Sequence, residues 1–473
     1  MKTGPNLLEQ DFYPNDNKNV PSPLKFTSPL KPSVIPKTSH QEIFLFSILL
    51  VLVFLFRLAF GLCSEIWFID QQQIYLIGLK YYTTGLWPYF GPDVAVNIQL
   101  PGALQGLVVG LPLRIWPIPE SPYIFLNFLS FSGLCFLAWY ICSRLPQFPR
   151  WIIWIWLLTA PWVLNWSTNI DNDSYVLFGS CLFFVGFMET LPTLTINLVP
   201  FWLANYLMGF ALGWNAQFHL SYILLFPLIL VSLVWKAVSR GVSLQEKLWS
   251  LFAFLAGALT TYSLIIPTWI QYGFIKGSGN TTQAITFNPE NFLSFFRVLL
   301  RYLALGCCEL PRFIGANTLS RLNFLKENLW VAPFGIIASL LGLFQLVALL
   351  LGWFRKNHPQ KDWHSIKILI ALVFLLIYVS FLFAIKTPAA HTYYITLPLV
   401  MIYGFYALSP FAKKPWFTRL AGLLLICNLV FHFGLALHNL PVKSMYKNRD
   451  LFVKAIQNKN YQLLGDRRPN TQY

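Results

Sequence analysis

Residues 43–63, IFLFSILLVLVFLFRLAFGLC, are followed directly by SEIWFIDQQQIY, residues 64–75. The first stretch is apolar apart from Ser47 and Arg57. An apolar run of about 18 or more residues has the length that a bilayer requires. We therefore expect a membrane-spanning helix over 43–63, with a single aspartate, Asp70, just beyond its end. The role of Asp70 depends on what the rest of the chain brings to the same place.

The whole chain has the composition of a multi-pass membrane protein. Of its 473 residues, 56% are hydrophobic, 17% are aromatic and only 11% are charged, whereas soluble domains contain about 25% charged residues. The net charge is +16. In a membrane protein such an excess is typical of basic cytoplasmic loops. We therefore interpret it as a topology signal and expect no nucleic-acid partner.

Eleven stretches qualify as membrane spans. A further stretch, 100–117, is interrupted by Pro101 and Pro112 and has Arg114 near its end, which favours a helix at the membrane interface. The expected fold class is therefore an all-α polytopic membrane protein with about 11 transmembrane helices. The predicted spans are 43–63, 121–143, 151–168, 174–191, 198–214, 219–235, 248–270, 328–354, 366–385, 391–410 and 416–437.

The positions of Lys and Arg set the expected orientation. With eleven spans and a cytoplasmic N-terminus, the basic loops 144–150, 236–247, 355–367 and 413–419 all face the cytoplasm. Counting 100–117 as a span would move all of them to the outside. We therefore expect the C-terminus outside. The membrane would be the inner or plasma membrane of a bacterium, or the endoplasmic reticulum of a eukaryote.

This topology divides the chain into three segments and leaves two large outer loops. We expect a disordered cytoplasmic tail over 1–41, a transmembrane domain over 42–440 and an extracytoplasmic tail over 441–473. The outer loops are 64–120 and 271–327. Apolar residues recur at helical spacing around Ile74 and around Leu104, and again in FLSFFRVLLRYLALG, residues 292–306. These patterns predict amphipathic surface helices in both loops.

Two separate loops bring acidic residues to the expected outer face. Asp70 follows the first span, while NIDNDSY, residues 169–175, places Asp171 and Asp173 between the third and fourth spans. Carboxylates at this depth can act as a general base toward a hydroxyl group, or hold a divalent cation such as Mg²⁺ or Mn²⁺. The alternative is that they only cap helix N-termini.

The order of these features resembles the membrane glycosyltransferases of the GT-C superfamily. The branch that it resembles is that of lipid-linked-sugar enzymes such as the protein O-mannosyltransferases and aminoarabinose transferases. Asp70 matches the acid that opens the first outer loop, Trp87-Pro88-Tyr89 the following turn and Leu100-Pro101-Gly102 the start of the second surface helix. Asp173 matches the acid that opens the fourth span. The resemblance covers residues 43–190 and departs at Gln71, where the family usually has Glu.

The resemblance implies inverting transfer of a sugar from a polyprenyl-phosphate donor to an acceptor hydroxyl on the non-cytoplasmic face. It implies that Asp70 is the catalytic base, with Asp171 and Asp173 orienting the acceptor or assisting a cation. The acceptor is a glycan, a lipid or a protein. The expected substrate-binding residues, which include basic groups for the lipid phosphate, are Arg57, Gln71, Tyr89, His219, Arg301, Lys386 and His391.

Several of these residues have a structural alternative. The basic side chains can snorkel toward lipid headgroups, and His219, with Asn215 and Gln217, can serve hydrogen bonding within the fold. We interpret the aromatic run WIIWIWLLTAPWVLNW, residues 151–166, as interfacial belts and packing.

Two other functions stay open at the level of the sequence. A carrier or flippase for a lipid or small solute needs polar groups near the bilayer midplane, whereas most predicted spans are apolar at their centres. A catalytically inactive GT-C-like scaffold is the other, because Gln71 leaves a single formal charge in the first motif. Membrane lipids are expected partners in every case.

Overall fold

Helices dominate the architecture. The computed structural model describes residues 40–65, 69–94, 98–191, 197–239, 242–273, 287–315, 317–384, 388–443 and 445–465. The expected N-terminal tail, up to residue 39, lies outside this part of the chain. The helices are α1 (His40–Ser64), α2 (Ile69–Thr84), α3 (Leu104–Ile115), α4 (Ser121–Arg144), α5 (Arg150–Thr159), α6 (Pro161–Ser167), α7 (Asn172–Thr190), α8 (Phe201–Ala216), α9 (Leu225–Val238), α10 (Leu244–Tyr262), α11 (Ile266–Tyr272), α12 (Phe295–Ala304), α13 (Thr318–Glu327), α14 (Ala332–Trp353), α15 (Trp363–Leu382), α16 (Leu397–Leu408), α17 (Pro415–Lys443) and α18 (Arg449–Gln457).

All eleven predicted spans coincide with helices. Within the described residues, eight helical stretches are long and apolar enough to cross a membrane. The other three predicted spans correspond to the broken pair α5–α6, to α7 and to α8. The chain is therefore an all-α multi-pass membrane protein, as predicted. The eight stretches are His40–Ser64, Ser121–Arg144, Leu220–Val238, Leu244–Tyr272, Ala332–Trp353, Trp363–Leu382, Ala390–Phe411 and Pro415–Pro441.

The excluded stretch 100–117 is a short helix preceded by a strand. Helix α3 has 12 residues and is about 18 Å long, too short for a hydrocarbon core of about 30 Å. Before it, β1 (Phe90–Val94) pairs antiparallel with β2 (Ile98–Pro101). Sequence patterning did not predict this hairpin, because Pro92 and Pro101 conceal the strands.

Helices α2 and α3 of the first outer loop pack closely against each other. A Cβ on Gly78 would overlap with the Val109 side chain, and one on Gly110 would overlap with the Tyr81 ring. Both helices are more enclosed than amphipathic surface helices would be, since residues 74–79 and 104–110 are all buried. The hairpin and the C-terminal segment supply contacts that the apolar periodicity alone did not reveal.

The C-terminal segment, residues 445–464, packs onto this loop. Arg449 Nε donates to Glu120 Oε1 at 2.6 Å, and the Phe452 ring meets the Tyr75 ring edge-on with centroids 5.0 Å apart. Lys80 Nζ lies 5.4 Å from the centre of the Tyr461 ring. The C-terminal segment is thus attached to α2, the helix whose first turn contains Asp70.

The predicted third span is broken at Pro161. Ala160 is extended (φ −56°, ψ 146°), as expected for a residue before proline. The break leaves carbonyl groups at the end of α5 without helical partners. Arg57 Nη1 donates to the Leu158 carbonyl at 2.7 Å, and Asn428 Nδ2 donates to the Thr159 carbonyl at 2.7 Å. Helices α1 and α17 are thereby tied to the break.

A buried ion network joins the ends of three helices, at the end of the bundle opposite to the α1–α2 junction. Arg144, at the end of α4, pairs with Glu189 of α7 and lies 3.3 Å from Asp362, which precedes α15. Glu189 also accepts hydrogen bonds from the backbone N–H groups of Leu198 and Val199 at 2.6 and 3.0 Å. We call this end of the bundle the network face, and the end that contains the α1–α2 junction the site face.

Helices α8 and α10 approach closely at two glycines. A Cβ on Gly209 would overlap with the Phe254 carbonyl, and a Cβ on Gly257 would overlap with the Tyr206 carbonyl. Small residues that allow such backbone contact are typical of helix pairs in membranes.

We predict that Gly257→Ala lowers the thermal unfolding midpoint of the purified protein, because the added methyl group forces the helices apart, at a cost of about 1–3 kcal/mol. Gly422→Ala is the matched control, since a Cβ there would meet only Trp151 at an ordinary 3.7 Å. That change should leave the midpoint unchanged or raise it, because Gly is unfavourable within a helix. Equal effects of the two substitutions would contradict the packing described here.

Candidate active site

Asp70, Gln71, Asp171, Asp173 and His219 meet on the site face, and we call this group the acidic pocket. Asp70 lies exposed in the first turn of α2. Asp171 precedes α7 and Asp173 lies in its first turn. His219 Nε2 is 3.4 Å from Asp173 Oδ1. The structure thus brings together all three predicted catalytic acids, together with two of the predicted substrate-binding residues.

Helix capping does not account for Asp171. Its side chain makes no capping hydrogen bond to α7, although it occupies the N-cap position. Instead, Gln71 Nε2 donates to Asp171 Oδ2 at 2.7 Å. The side-chain oxygen of Asn172 accepts from the Asp173 N–H at 2.8 Å. The carboxyl of Asp171 therefore contacts another member of the pocket rather than capping the start of α7.

The contact with Asp171 accounts for an amide, rather than a carboxyl, at position 71. An amide can donate to a carboxylate, whereas a glutamate at the same position would place two like charges at hydrogen-bond distance. Gln71 is 8% exposed, so water would screen such repulsion poorly.

We predict that Gln71→Glu lowers the thermal unfolding midpoint at pH 8, because the new carboxylate faces Asp171. In the double variant Gln71→Glu, Asp171→Asn, the amide at position 171 can donate to the carboxylate at position 71. It should therefore recover most of the loss in unfolding midpoint. The measurement is thermal unfolding of detergent-solubilised protein, followed by intrinsic fluorescence. A double variant no more stable than Gln71→Glu alone would show that the two side chains do not interact.

Burial and like charges raise the pKa of both buried acids of the pocket. Asp171 and Asp173 precede the predicted span 174–191. Burial is the main cause of the raised pKa of each carboxyl. The nearby charges of Asp173 and Asp70 raise the pKa of Asp171 further, and the charge of Asp70 raises the pKa of Asp173 further. The folded protein therefore binds these protons more tightly than the unfolded chain does. Asp70, by contrast, is exposed.

The raised pKa values predict a pH dependence of stability. The unfolded-state pKa of an aspartate is about 4, so the free energy of unfolding should fall as the pH rises from there through the raised folded-state pKa. The unfolding midpoint of the wild type should therefore drop between pH 6 and pH 9. Asp171→Asn, Asp173→Asn should show a smaller drop, because its amides do not titrate. A drop of the same size in both proteins would refute the assignment.

A row of aromatic rings, which we call the aromatic bridge, leads from His391 to a second group of charges. The rings of Trp166 and His391 stack with centroids 5.6 Å apart, and those of Trp166 and Trp162 stack at 6.4 Å. The Arg312 guanidinium lies 4.8 Å from the centre of the Trp162 ring. Trp162 Nε1 also donates to Glu309 Oε2 at 3.2 Å. Both tryptophans belong to α6, the short helix that follows the break at Pro161.

The second group, which we call the arginine cluster, consists of Arg301, Arg312 and Arg321 around Glu309. All four side chains are half-buried. Burial raises the pKa of Glu309, whereas Arg312, Arg301 and Arg321 lower it. Arg301 Nη1 lies 3.5 Å from the Pro388 carbonyl, close to the loop that leads to His391. One acid among three guanidinium groups leaves an excess of positive charge at this end of the bridge.

An apolar groove begins at the arginine cluster. It has a volume of about 220 Å³ and lies between α12 and α14, with Arg301 and Glu309 among its lining residues. Its other lining groups are mainly apolar, among them Leu300, Leu343 and Leu346. We call it the α12–α14 groove. A ligand with a charged head and an apolar chain fits this combination.

Two predicted substrate-binding residues lie elsewhere. Arg57 is fully buried, and its guanidinium donates to Asn127, Ser130, Ser167 and the Leu158 carbonyl at 2.7–3.1 Å. The structure therefore gives it a packing role, because its donors are used within the protein.

Tyr89 also serves the fold. Its carbonyl accepts from the Gly102 N–H at 2.9 Å and from Thr268 Oγ1 at 2.7 Å, and its ring packs on Tyr272. It lines a cleft beside Lys80. Lys80 follows Asp70 by ten residues, which corresponds to about 15 Å along α2. We correct the expectation of substrate contact for Arg57, since hydrogen bonds within the fold use its guanidinium. For Tyr89 that expectation stays a prediction, because its hydrogen bonds are made by the backbone carbonyl.

The remaining candidates are distributed as follows. Asn215 and Gln217, the expected companions of His219, are fully buried. Gln217 Nε2 donates to the Gly213 and Thr261 carbonyls at 3.1 and 2.9 Å, so it has a structural role. Lys386 lies outside the described residues.

Sequence reasoning missed Trp162, Trp166 and Glu309. The two tryptophans were interpreted as packing, although Pro161 within their apolar run signals a helix break that reorients the residues after it. Glu309 lies in a loop without a recognisable motif, and only the three-dimensional structure places it among the arginines.

The acidic pocket does not have the ligand set of a metal centre. Within the described residues, no three His, Cys, Asp or Glu side chains lie close enough together to hold a metal ion. Asp171 is bound by the Gln71 amide and Asp173 by His219. We therefore assign no step to the divalent cation that the sequence left open.

Comparison with known proteins gives a similarity that extends over most of the chain. No protein-family model matches, and no curated protein matches. Among solved structures, the chain is similar to ArnT from Cupriavidus metallidurans bound to undecaprenyl phosphate. The two share 12% sequence identity with a TM-score of 0.49, and the match covers 90% of this chain and 78% of that one. An activity for this chain has to be inferred from its own side chains.

Proposed function

We propose that this chain is a GT-C-like membrane glycosyltransferase. In this proposal it moves a sugar from a polyprenyl-phosphate donor to an acceptor hydroxyl on the non-cytoplasmic face. The observation that carries the proposal is the arrangement of charge. Arginines with an adjoining apolar groove lie at the Trp162 end of the aromatic bridge, and the acidic pocket begins at Asp171, five residues after Trp166.

The donor would lie with its lipid phosphate at the arginine cluster. Guanidinium groups bind phosphate through paired N–H donors, and the α12–α14 groove supplies apolar surface for the first part of the polyprenyl chain. The sugar would then extend along Trp162, Trp166 and His391 toward the acidic pocket. Flat aromatic surfaces suit the apolar faces of a sugar ring.

The reaction would begin at Asp70. Its exposed carboxylate accepts the proton of the acceptor hydroxyl, whose oxygen attacks the anomeric carbon of the donor sugar. The bond between that carbon and the phosphate oxygen breaks, and the configuration inverts because attack and departure occur on opposite faces. The arginines stabilise the negative charge that develops on the leaving lipid phosphate.

The other members of the pocket would position the acceptor. Asp171 is held by the Gln71 amide, and Asp173 lies against His219. Because their raised pKa values favour the protonated form, these carboxyls can donate hydrogen bonds to acceptor oxygens while Asp70 remains the base. Three acids in one pocket thus acquire different roles through different burial.

A carrier or flippase is less well supported. Such a protein needs polar groups that face a pathway near the midplane. Arg57, a charged side chain within a span, instead gives its donors to Asn127, Ser130, Ser167 and Leu158. It is therefore not available to a transported solute.

We predict that Asp70→Asn reduces sugar transfer by about a hundredfold to ten-thousandfold, the usual contribution of a general base. Asparagine keeps the size of the side chain and suits a helix N-terminus about as well as aspartate does, so the fold should be preserved. Transfer is measured by mass spectrometry as free polyprenyl phosphate released from a panel of polyprenyl-phosphate-linked sugars, in proteoliposomes that also contain an extract of membrane lipids, glycans and proteins as the source of acceptor. Retention of the same donors on the purified variant shows that binding is intact.

Asp450→Asn is the matched control for this experiment. Asp450 is an exposed acid in the first turn of α18, in the C-terminal segment that packs onto the site-face loop, and its substitution should leave transfer unchanged. Wild-type rates from folded Asp70→Asn protein would remove Asp70 from the mechanism. Release of polyprenyl phosphate by neither wild type nor variant, with any donor of the panel, would contradict the proposed donor class.

A further inference from the structure

A second apolar groove lies far from the candidate active site. It has a volume of about 260 Å³, close to the lower end of the range of ligand pockets, about 300–1,000 Å³. Helices α5, α14, α16 and α17 enclose it, and we call it the α14–α17 groove. Representative lining residues are Phe148, Trp156, Phe344, Phe405, Trp416 and Leu424.

This groove opens at the network face. It is lined by the second half of α14, the end of α16 and the first half of α17. The stretch Ala390–Phe411 runs from His391, beside the aromatic bridge, to Phe411, beside the groove. The length of a membrane span therefore separates this groove from the acidic pocket, and the two cannot hold the same headgroup.

Several apolar side chains of the groove face outward from the bundle. Phe344 is 56% exposed, Leu351 64% and Trp416 43%. In a chain that crosses the membrane, this surface is in contact with lipid. The groove is thus open to the hydrocarbon region along its length.

A cationic side chain closes one end of the groove. The Arg355 guanidinium lies 4.7 Å from the centre of the Phe411 ring, which holds it in place through a cation–π contact. Its Nη1 atom is buried and has no hydrogen-bond partner among the described residues. Buried donors are almost always paired in native proteins. An acceptor from outside the described residues therefore belongs beside Arg355.

Further positive charge flanks this end. Lys413 and Lys414 are exposed and lie between Phe411 and Trp416, both of which line the groove. The complementary ligand has an anionic head with several acceptor oxygens and an apolar chain. A second copy of the chain would have to bring an acid into the same corner, whereas a phospholipid carries its phosphate at the required position, next to its acyl chains.

We propose that the α14–α17 groove binds an anionic phospholipid, with an acyl chain in the groove and the phosphate at Arg355. Its leaflet is the one that the distribution of Lys and Arg predicts to be cytoplasmic. Lipid tails are as apolar as the groove, so the acyl chain gains little hydrophobic free energy by entering it. The groove therefore selects by shape, and Arg355 with Lys413 and Lys414 selects the headgroup.

The test is native mass spectrometry of the full-length protein. The protein is released from nanodiscs that contain equal amounts of palmitoyl-oleoyl phosphatidylglycerol and palmitoyl-oleoyl phosphatidylcholine. Wild-type protein should retain one phosphatidylglycerol with a preference of about tenfold over phosphatidylcholine, which corresponds to about 1.4 kcal/mol. Arg355→Met keeps a long apolar stem and should abolish the preference. Lys356→Met, at the exposed next position, should keep it.

A second variant tests the groove itself. Ala348→Phe fills the groove from α14 and should remove retention of both lipids, whereas Leu340→Phe on the same helix, at a position that is 63% exposed, should not. Equal retention of the two lipids by wild type would overturn the headgroup assignment. Undiminished retention by folded Ala348→Phe would overturn the groove. A lipid-free dimer that Ala348→Phe converts to monomer would assign the groove to a second copy instead.

Discussion

The break at Pro161 is the constraint on which the rest of the structure depends. A proline in a span frees carbonyl groups in a setting without water, and each unpaired buried group costs about 1–3 kcal/mol. Arg57 and Asn428 satisfy the Leu158 and Thr159 carbonyls. An isolated arginine at the centre of a span costs about 2.5–3.5 kcal/mol on insertion scales, so the break and the arginine compensate each other. Their pairing joins α1, α5 and α17.

The same break positions the candidate active site. Helix α6 begins at Pro161 and carries both Trp162 and Trp166, and its end leads directly into the loop with Asp171. A continuous helix would have directed these rings by the regular rotation of about 100° per residue. Because α6 is a separate helix that begins after the break, Trp162 contacts Arg312 and Glu309 while Trp166 contacts His391. The bridge between the two charge groups is thus a consequence of a single backbone interruption.

Much of this structure follows from the sequence, and the parts that do not have identifiable causes. The spans are evident because a bilayer demands long apolar runs, and the three acids are evident because they interrupt such runs. The partner of Gln71 could not be predicted, since its contact with Asp171 joins residues 100 positions apart. Arg57 was assigned to substrate because a charge in a span is usually functional, yet here four hydrogen bonds within the protein account for it. Glu309 and its arginines depend on how a long loop folds back, which apolar periodicity does not encode.

The central claim is that the acidic pocket and the arginine cluster form the two ends of one binding site. The most direct test is an electron cryo-microscopy structure of Asp70→Asn protein in nanodiscs with a polyprenyl-phosphate-linked sugar. Choosing a donor that wild-type protein converts ensures that the ligand is a substrate. The account predicts density for the phosphate within hydrogen-bond distance of Arg301 or Arg312, with the sugar against Trp166 and its anomeric carbon facing residue 70. A donor phosphate bound away from the arginines, with protein between the sugar and α2, would contradict it.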